Sequence, residues 1–156
     1  MNCKDKLEAY LRDSQVPFQV QHHPVAYTAQ RIAASEHIPG KMVAKVVIVL
    51  ADGKSVMLAL PASHRVNFPK AESALGAKEV RLAREEEFAA VFPDCPVGAM
   101  PPFGNLYNLA VFVDRALQED ETIVFQAGTH TDTMSLKYAD FERLVHPTVA
   151  EFADHL

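Results

Sequence analysis

AKVVIVLADGKSVMLAL, residues 44–60, carries the clearest secondary-structure signal in the chain. Two apolar runs, Ala44–Leu50 and Ser55–Leu60, flank a short polar connection, and the Asp-Gly pair in that connection is typical of a tight hairpin turn. Because Val46–Leu50 is apolar at every position, both faces of this strand should be covered by other parts of the protein. The segment therefore predicts a β-hairpin whose first strand lies inside a sheet.

Around this hairpin, helix and strand signals alternate without a regular βαβ repeat. Thr28 is a predicted N-cap, and a loop rich in proline and glycine is predicted over Pro93–Gly104. The pattern favours an α+β fold around a mixed sheet, in a single domain over residues 1–156. Helices are predicted over residues 4–13, 29–36, 69–75, 85–92 and 139–145, and further strands over 17–20, 80–82, 109–113, 122–126 and 134–136.

The composition is that of an ordinary globular protein, with 49% hydrophobic and 22% charged residues. No apolar run approaches the roughly 20 residues of a membrane helix, and the N-terminus lacks the apolar core of a secretion signal. Cys3 and Cys95 are far apart and form neither a metal-type spacing nor a disulfide framework. We therefore expect a cytoplasmic protein with reduced cysteines and no membrane partner.

The net charge of −5 limits the kind of nucleic-acid contact that the surface can make. Proteins that cover many phosphates need a basic face, because their affinity grows with the number of phosphate charges they neutralise. This charge argues against a DNA-binding protein. Contact with RNA should be limited to a few phosphates.

Lys45 is the first residue that stands out chemically. It lies at the start of the apolar strand, where its ammonium group must reach the end of the sheet or a cleft, since an unpaired buried charge is costly. One interpretation is a lysine that extends to solvent at a sheet edge. The other is a fixed cation that holds a phosphate or a carbonyl oxygen.

Two loops could form the rest of a site. Pro96–Gly104 has two glycines and three prolines, so it is both bent and stiff, and it could direct backbone N–H groups at a ligand oxygen. Phe125–Asp132 reads as a strand that ends in Ala-Gly and continues into polar residues, among them His130. A plain surface turn and a solvated histidine are the alternatives. No zinc spacing or nucleophile elbow occurs, so no metal or cofactor is expected.

The order of these features resembles that of the YbaK/prolyl-tRNA synthetase-associated editing domain family. The resemblance runs from about His23 to Leu144, through a His-Pro turn, a helix and the strand that opens with Lys45. It continues with a Val-Arg-Leu strand, an acidic helix, a Gly-x-x-x-Pro loop at Gly98–Pro102, and a strand that ends in Ala127-Gly128.

The resemblance implies a partly barrel-like sheet surrounded by helices, and hydrolysis of the ester between an amino acid and the terminal adenosine of tRNA. In that family the matching lysine anchors the RNA 3′ end and the loop positions the aminoacyl carbonyl. Lys45, Gly98 and Pro102 are thus the implied catalytic residues, and the tRNA acceptor end is the implied partner, with a synthetase as a further candidate. The implied substrate-binding residues are His23, Tyr27, Ala99, Met100, Pro101, Phe103, Gly128 and His130.

The family removes alanine, cysteine, serine, threonine or similar small residues. The loop here reads Gly-Ala-Met-Pro-Pro, whereas the branch that acts on cysteine typically has Gly-Gly-x-Ser-Pro. We therefore expect alanine, serine or threonine rather than cysteine. A different kind of function also stays open: the domain could bind an aminoacyl-adenosine or an amino acid without hydrolysis, or dock on a synthetase as a regulator.

Overall fold

The predicted hairpin forms the centre of the largest sheet in the computed structural model, which describes residues 2–156. Strand β2 (Ala44–Ala51) pairs antiparallel with β3 (Lys54–Pro61) in a register that sets Lys45 opposite Leu60. The turn residues Asp52 and Gly53 have φ angles of 50° and 84°, the left-handed geometry that an Asp-Gly hairpin turn requires.

The remaining elements are short and follow the predicted order closely. The helices are α1 (Cys3–Asp13), α2 (Ala29–Glu36), α3 (Phe68–Leu75), α4 (Glu85–Phe88), α5 (Arg115–Gln118) and α6 (Tyr138–Val145), with 3-10 turns at Gly40–Met42 and Gly104–Tyr107. The other strands are β1 (Gln19–His22), β4 (His64–Val66), β5 (Val80–Leu82), β6 (Val111–Asp114), β7 (Thr122–Gln126), β8 (Asp132–Lys137), β9 (Thr148–Ala150) and β10 (Ala153–His155).

The strands form three sheets. A five-stranded mixed sheet has the order β5-β2-β3-β6-β9, which places β2 inside the sheet as the sequence predicted. A three-stranded antiparallel sheet has the order β1-β8-β7, and β4 pairs with β10. A single parallel bridge between Val43 and Val124 connects the entry of β2 to β7. The α+β class with mixed sheets is confirmed.

The apolar core is divided by the alternation of side chains along the strands. The largest cluster contains Phe103, Phe125 and Phe141, whose ring centroids lie 5.5 Å apart in two pairs. A second cluster packs around Phe152, and a third lies beneath helix α2 and contains Val43. Successive residues of β2 therefore face different clusters.

Predicted boundaries are wrong by two residues or more in four elements, among them β6, which begins at Val111 and not at residue 109, and β8, which begins at Asp132 and not at residue 134. Helix α4 ends at Phe88, not at residue 92, because the chain turns there and Phe92 packs its ring 4.6 Å from that of Tyr107. Strand β1 begins at Gln19 and continues to His22, because its pairing with β8 extends to the His22–Asp132 pair. The short elements β4, β9, β10 and α5 were not predicted.

The expectation of two unpaired cysteines is also wrong. Cys3 and Cys95 form a disulfide across a sequence separation of 92 residues. The Cys3 N–H group donates to the Asp94 carbonyl oxygen at 3.1 Å, so the first turn of α1 lies against the loop that contains Cys95. Sequence spacing could not show this approach. Among residues 2–156, no helix has the length and apolar character needed to cross a membrane.

Candidate functional site

Helix α2 packs beside the entry of β2 and contacts the three-stranded sheet at its C-terminal end. Thr28 caps the helix by accepting a hydrogen bond from the Arg31 N–H group at 3.1 Å, as the sequence predicted. Ile32 packs in one apolar cluster with Val43. At the other end of the helix, the Glu36 carboxylate accepts a hydrogen bond from the Thr133 hydroxyl at 2.7 Å. The Glu36 side chain therefore closes over one face of the sheet at Thr133.

Polar side chains share this face. Thr133 of β8 pairs with Gln126 of β7, and paired residues of an antiparallel sheet point to the same side. Their neighbours Phe125 and Met134 belong to the main core on the opposite side. Gln126 and Thr133 therefore lie on the face that Glu36 covers.

Lys45 reaches the same face from the larger sheet. Val43 and Val124 form the parallel bridge between the two sheets, and Lys45 and Gln126 lie two residues further along their respective chains. Side chains repeat their direction every two residues in a strand, so Lys45 and Gln126 are neighbours on one face. Residues 44 and 46 point instead to the main core.

The ammonium group of Lys45 is available to a ligand. The side chain is half-buried, and its Nζ atom makes no hydrogen bond or ion pair within residues 2–156. Burial lowers the pKa of Lys45, since removal from water disfavours the charged form. A partly desolvated cation without a partner gains strongly from an anionic or polar ligand.

Several buried polar atoms on or beside this face lack a hydrogen-bond partner in the described part of the chain. They are His23 Nε2, Gln126 Nε2, His130 Nδ1 and Glu36 Oε1. Buried polar groups are nearly always hydrogen-bonded, so such a concentration is typical of a site that receives a polar ligand. Glu36 and Gln126 were not predicted. The one sequence signal for Gln126 is a polar residue that ends an apolar strand.

The Gly-x-x-x-Pro loop closes one end of this region. The Gly128 N–H group donates to the Ala99 carbonyl oxygen at 3.0 Å, which joins the loop to the end of β7. The ring of His130 lies next to Gly98, where an added Cβ atom would be 3.6 Å from His130 Cε1. The Tyr27 ring packs on the His130 ring with centroids 4.6 Å apart. The predicted residues of the two loops therefore lie together.

His23 approaches the same loops from β1. Its N–H group donates to the Thr131 carbonyl oxygen at 2.8 Å, which continues the pairing of β1 with β8 beyond the strand ends. Its Nδ1 atom lies 2.6 Å from the Pro24 carbonyl oxygen, so this nitrogen carries the proton. The unpartnered Nε2 is then an acceptor.

The backbone of the loop offers donors. Ala99 N–H donates to the Pro96 carbonyl oxygen at 3.1 Å and so fixes the bend, in which Gly98 has a φ angle of 83°. The N–H groups of Gly98 and Met100 have no acceptor within the described residues. Pro101 has no N–H group to offer.

The side chains of the loop point into the protein. Residues 99–104 are all buried, and Met100 and Phe103 belong to the main apolar cluster. Phe103 is 0% exposed, so it holds the loop in place and presents no surface to a ligand in this structure. Gly98 is exposed, so a ligand meets this loop at Gly98.

The sequence profile of the aminoacyl-tRNA editing domain matches residues 23–144. The chain belongs to this family. The matched range contains all the predicted site residues, together with Glu36 and Gln126.

The editing domain also occurs in curated proline–tRNA ligases. The ligase of Acidithiobacillus ferrooxidans is 34% identical over 110 residues, which cover 69% of this chain and 19% of the ligase. That of Geobacter sulfurreducens is 28% identical over 138 residues, or 88% of this chain and 23% of the ligase. The chain thus spans about a fifth of the length of these relatives.

Solved structures share the fold of this editing domain. The hypothetical protein APE2540 superposes with a TM-score of 0.86 at 22% identity, covering 96% of this chain and 99% of its own. A proposed trans-editing enzyme for prolyl tRNA synthetase gives a TM-score of 0.84 at 17% identity, with 97% of each chain covered. At these low sequence identities, the similarity to the solved structures shows a shared fold only.

Proposed function

We propose that this editing domain is a deacylase that hydrolyses the ester between a small, wrongly attached amino acid and the 3′ end of tRNA. The observation that carries the proposal is the unpaired cation of Lys45 on the same sheet face as several unsatisfied polar atoms, in a member of the editing family. Water adds across the ester, releasing the free amino acid and restoring the ribose hydroxyl.

The proposed reaction does not require a nucleophile from the protein. An aminoacyl ester is already activated, so a positioned water molecule and the ribose hydroxyl of the substrate can replace a protein nucleophile. Both cysteines are joined in the disulfide, so neither is a free thiolate that could attack the carbonyl. The domain needs to orient the ester and stabilise its oxyanion.

The Gly-x-x-x-Pro loop is suited to stabilising the oxyanion. The unpaired N–H groups of Gly98 and Met100 come from a bend that is held by hydrogen bonds at Ala99. Fixed backbone donors stabilise a developing oxyanion without having to reorganise during the reaction. We assign this role to the loop from Gly98 to Pro102, with Pro101 and Pro102 stiffening it.

Lys45 and Tyr27 are suited to holding the terminal adenosine. A lysine acts as a point charge for a phosphate or carbonyl oxygen. The Tyr27 ring is 63% exposed beside His130 and offers a flat surface for stacking of a base. Few other phosphate contacts are expected at a net charge of −5, which agrees with a grip limited to the acceptor end.

We further propose that alanine, serine or threonine is removed in preference to cysteine. The support is the loop sequence, in which Ala99 and Pro101 occupy positions where the branch specific for cysteine has glycine and serine. A proline-specific synthetase is the candidate partner, because its relatives contain this domain within a longer chain.

The test is a deacylation assay with tRNAs charged with alanine, serine, threonine or cysteine. Lys45→Ala should lower the rate on the preferred substrate at least about tenfold, equivalent to roughly 1.4 kcal/mol of transition-state stabilisation. Lys54→Ala is the matched control, because Lys54 is exposed at the hairpin turn of the same strand pair. Equal rates for Lys45→Ala and the unmodified protein would refute the role of Lys45.

The alternative function is a binding module. It is favoured by the absence of a nucleophile at the described site and by the acidic net charge, which suits a protein partner as well as RNA. Tight binding of a nonhydrolysable aminoacyl-adenosine analogue, with no hydrolysis of any of the four charged tRNAs, would establish this alternative.

A further inference from the structure

Only one of the two Glu36 carboxylate oxygens has a hydrogen-bond partner among the described residues. The Oε2 atom accepts the hydrogen bond from Thr133, whose side chain is completely buried. The Oε1 atom is also buried and has no partner in the part of the chain that the structure describes. One acceptor of this carboxylate is therefore buried beside Thr133 without a donor.

The position of this charge is unfavourable for the fold. Glu36 is the last residue of α2, and a negative charge at a helix C-terminus opposes the helix dipole. A buried carboxylate oxygen without a donor loses its hydration and receives nothing in return. A glutamine could accept the same bond from Thr133 without placing a charge at the helix C-terminus. The carboxylate is therefore better explained by a ligand than by stability.

The donors on this face complement that acceptor. Lys45 lies on the same face but makes no ion pair with Glu36 among the described residues, and Gln126 Nε2 is likewise unpaired. This face thus has an acceptor at the end of α2 and donors along the sheet. An aminoacyl ester matches this arrangement, because its α-ammonium group is separated from its carbonyl oxygen by only two carbon atoms.

We propose that Glu36 binds the α-ammonium group of the aminoacyl ester and thereby determines specificity for substrates with a free amine. The inference rests on the proposed function. Acylation of the amine removes its positive charge and adds bulk beside a buried carboxylate oxygen, so N-acylated aminoacyl-tRNAs are poor substrates. The domain would then spare esters that carry a blocked amine while it removes free amino acids.

The kinetic test compares Glu36→Gln with the unmodified protein on alanyl-tRNA and N-acetylalanyl-tRNA. The glutamine can keep the hydrogen bond to Thr133, and it removes the charge and replaces the unpaired acceptor with a donor. We expect kcat/KM for alanyl-tRNA to fall at least tenfold while that for N-acetylalanyl-tRNA stays unchanged. Glu86→Gln, a change at an exposed carboxylate on α4, should alter neither value.

An equal loss on both substrates, or no loss on either, overturns the proposal. Thermal unfolding of Glu36→Gln establishes that the variant is folded, since the substitution leaves the packing of α2 intact. A merely structural role for Glu36 would lower activity on the two substrates in the same proportion, so the ratio of the two kcat/KM values separates the explanations.

A binding measurement keeps this inference separate from the proposed reaction. Calorimetry with 3′-alanylamido-3′-deoxyadenosine and its 3′-propionylamido counterpart compares two stable ligands that differ only in the amine. The unmodified protein should bind the alanyl ligand at least tenfold more tightly, and Glu36→Gln should bind both alike. If no charged tRNA is hydrolysed, the proposed function fails while this comparison still decides the role of Glu36; equal affinities in the unmodified protein refute it.

Discussion

Asp120 is a buried acid whose ionisation works against the fold. Its side chain is 8% exposed, and its Oδ2 atom has no partner within residues 2–156. Burial raises the pKa of Asp120 to about 6; Lys41 opposes this shift and Glu119 adds to it. The folded chain therefore binds this proton more tightly than the unfolded chain, in which the pKa is near 3.8.

The sign of this shift predicts a pH dependence. The contribution of Asp120 to stability is fully present below about pH 4 and is lost as the pH rises through 6. Asp120→Asn should therefore be more stable than the unmodified protein at pH 7.5, by about 1–3 kcal/mol, and equal to it near pH 4. Urea denaturation at both pH values measures this difference, and a difference that does not change with pH would contradict the prediction.

Single residues differed in whether the sequence alone could identify them as site residues. Lys45 could be identified because a charge at the start of an apolar strand conflicts with its surroundings. Glu36 could not, since a glutamate on a short amphipathic helix is ordinarily a solvated residue. Its significance depends on the contact with Thr133, which is 97 residues away and requires the strand register to be known.

At the scale of elements, local chemistry determined what could be predicted. The hairpin of β2 and β3, helix α2 with its Thr28 cap, and strand β7 follow from residue patterns within each segment. The strands β4, β9 and β10 have three residues each, as does β5, but only β5 (Val-Arg-Leu) alternates apolar and polar residues. They form through pairing with strands that are distant in sequence, and a pattern within a short segment of sequence cannot predict that pairing.

The turn between β7 and β8 holds two other segments in place. Gly128 in this turn has a φ angle of 89°, and an added Cβ atom would lie 2.9 Å from both Cys3 Sγ and the Lys4 backbone nitrogen. The start of α1 therefore packs directly on the backbone of Gly128. The Ala99 carbonyl oxygen accepts the Gly128 N–H on the same turn. Only glycine allows both contacts.

Gly128→Ala should disturb the site through this packing. Gly53→Ala is the matched control, because Gly53 also has a positive φ, of 84°, but nothing lies within 4 Å of an added Cβ atom. Both variants incur the backbone cost, and only Gly128→Ala must also displace α1. We expect it to lose at least about 1 kcal/mol more free energy of unfolding than the control. Equal losses of unfolding free energy for the two variants in chemical denaturation would show that α1 moves aside at no measurable cost.

At the scale of the whole molecule, the disulfide joins the N-terminal helix to the segment that leads into the Gly-x-x-x-Pro loop. Cys3 is 1% exposed, and its backbone also contacts Asp94. The bond closes a span of 92 residues, which includes Glu36 and Lys45 but not the loop from Gly98 to Pro102. A covalent closure of this length restricts the unfolded chain and stabilises the folded one.

Reduction of the disulfide should therefore lower the stability of the whole fold. We expect dithiothreitol to lower the free energy of unfolding by about 2–5 kcal/mol. The double variant Cys3→Ser, Cys95→Ser should match the reduced protein and should not respond to the reductant. An unfolding midpoint that is the same with and without dithiothreitol would mean that the bond adds nothing.

The exposed ring of Tyr27 has an optical consequence. The chain contains no tryptophan and four tyrosines, so tyrosine alone governs its near-ultraviolet emission. Tyr138 is buried, and Tyr10 and Tyr107 are half-buried. Only Tyr27 stands in the open, against His130. A nucleotide that stacks there would quench one of four fluorophores, so the protein can report occupancy of its site without any attached label.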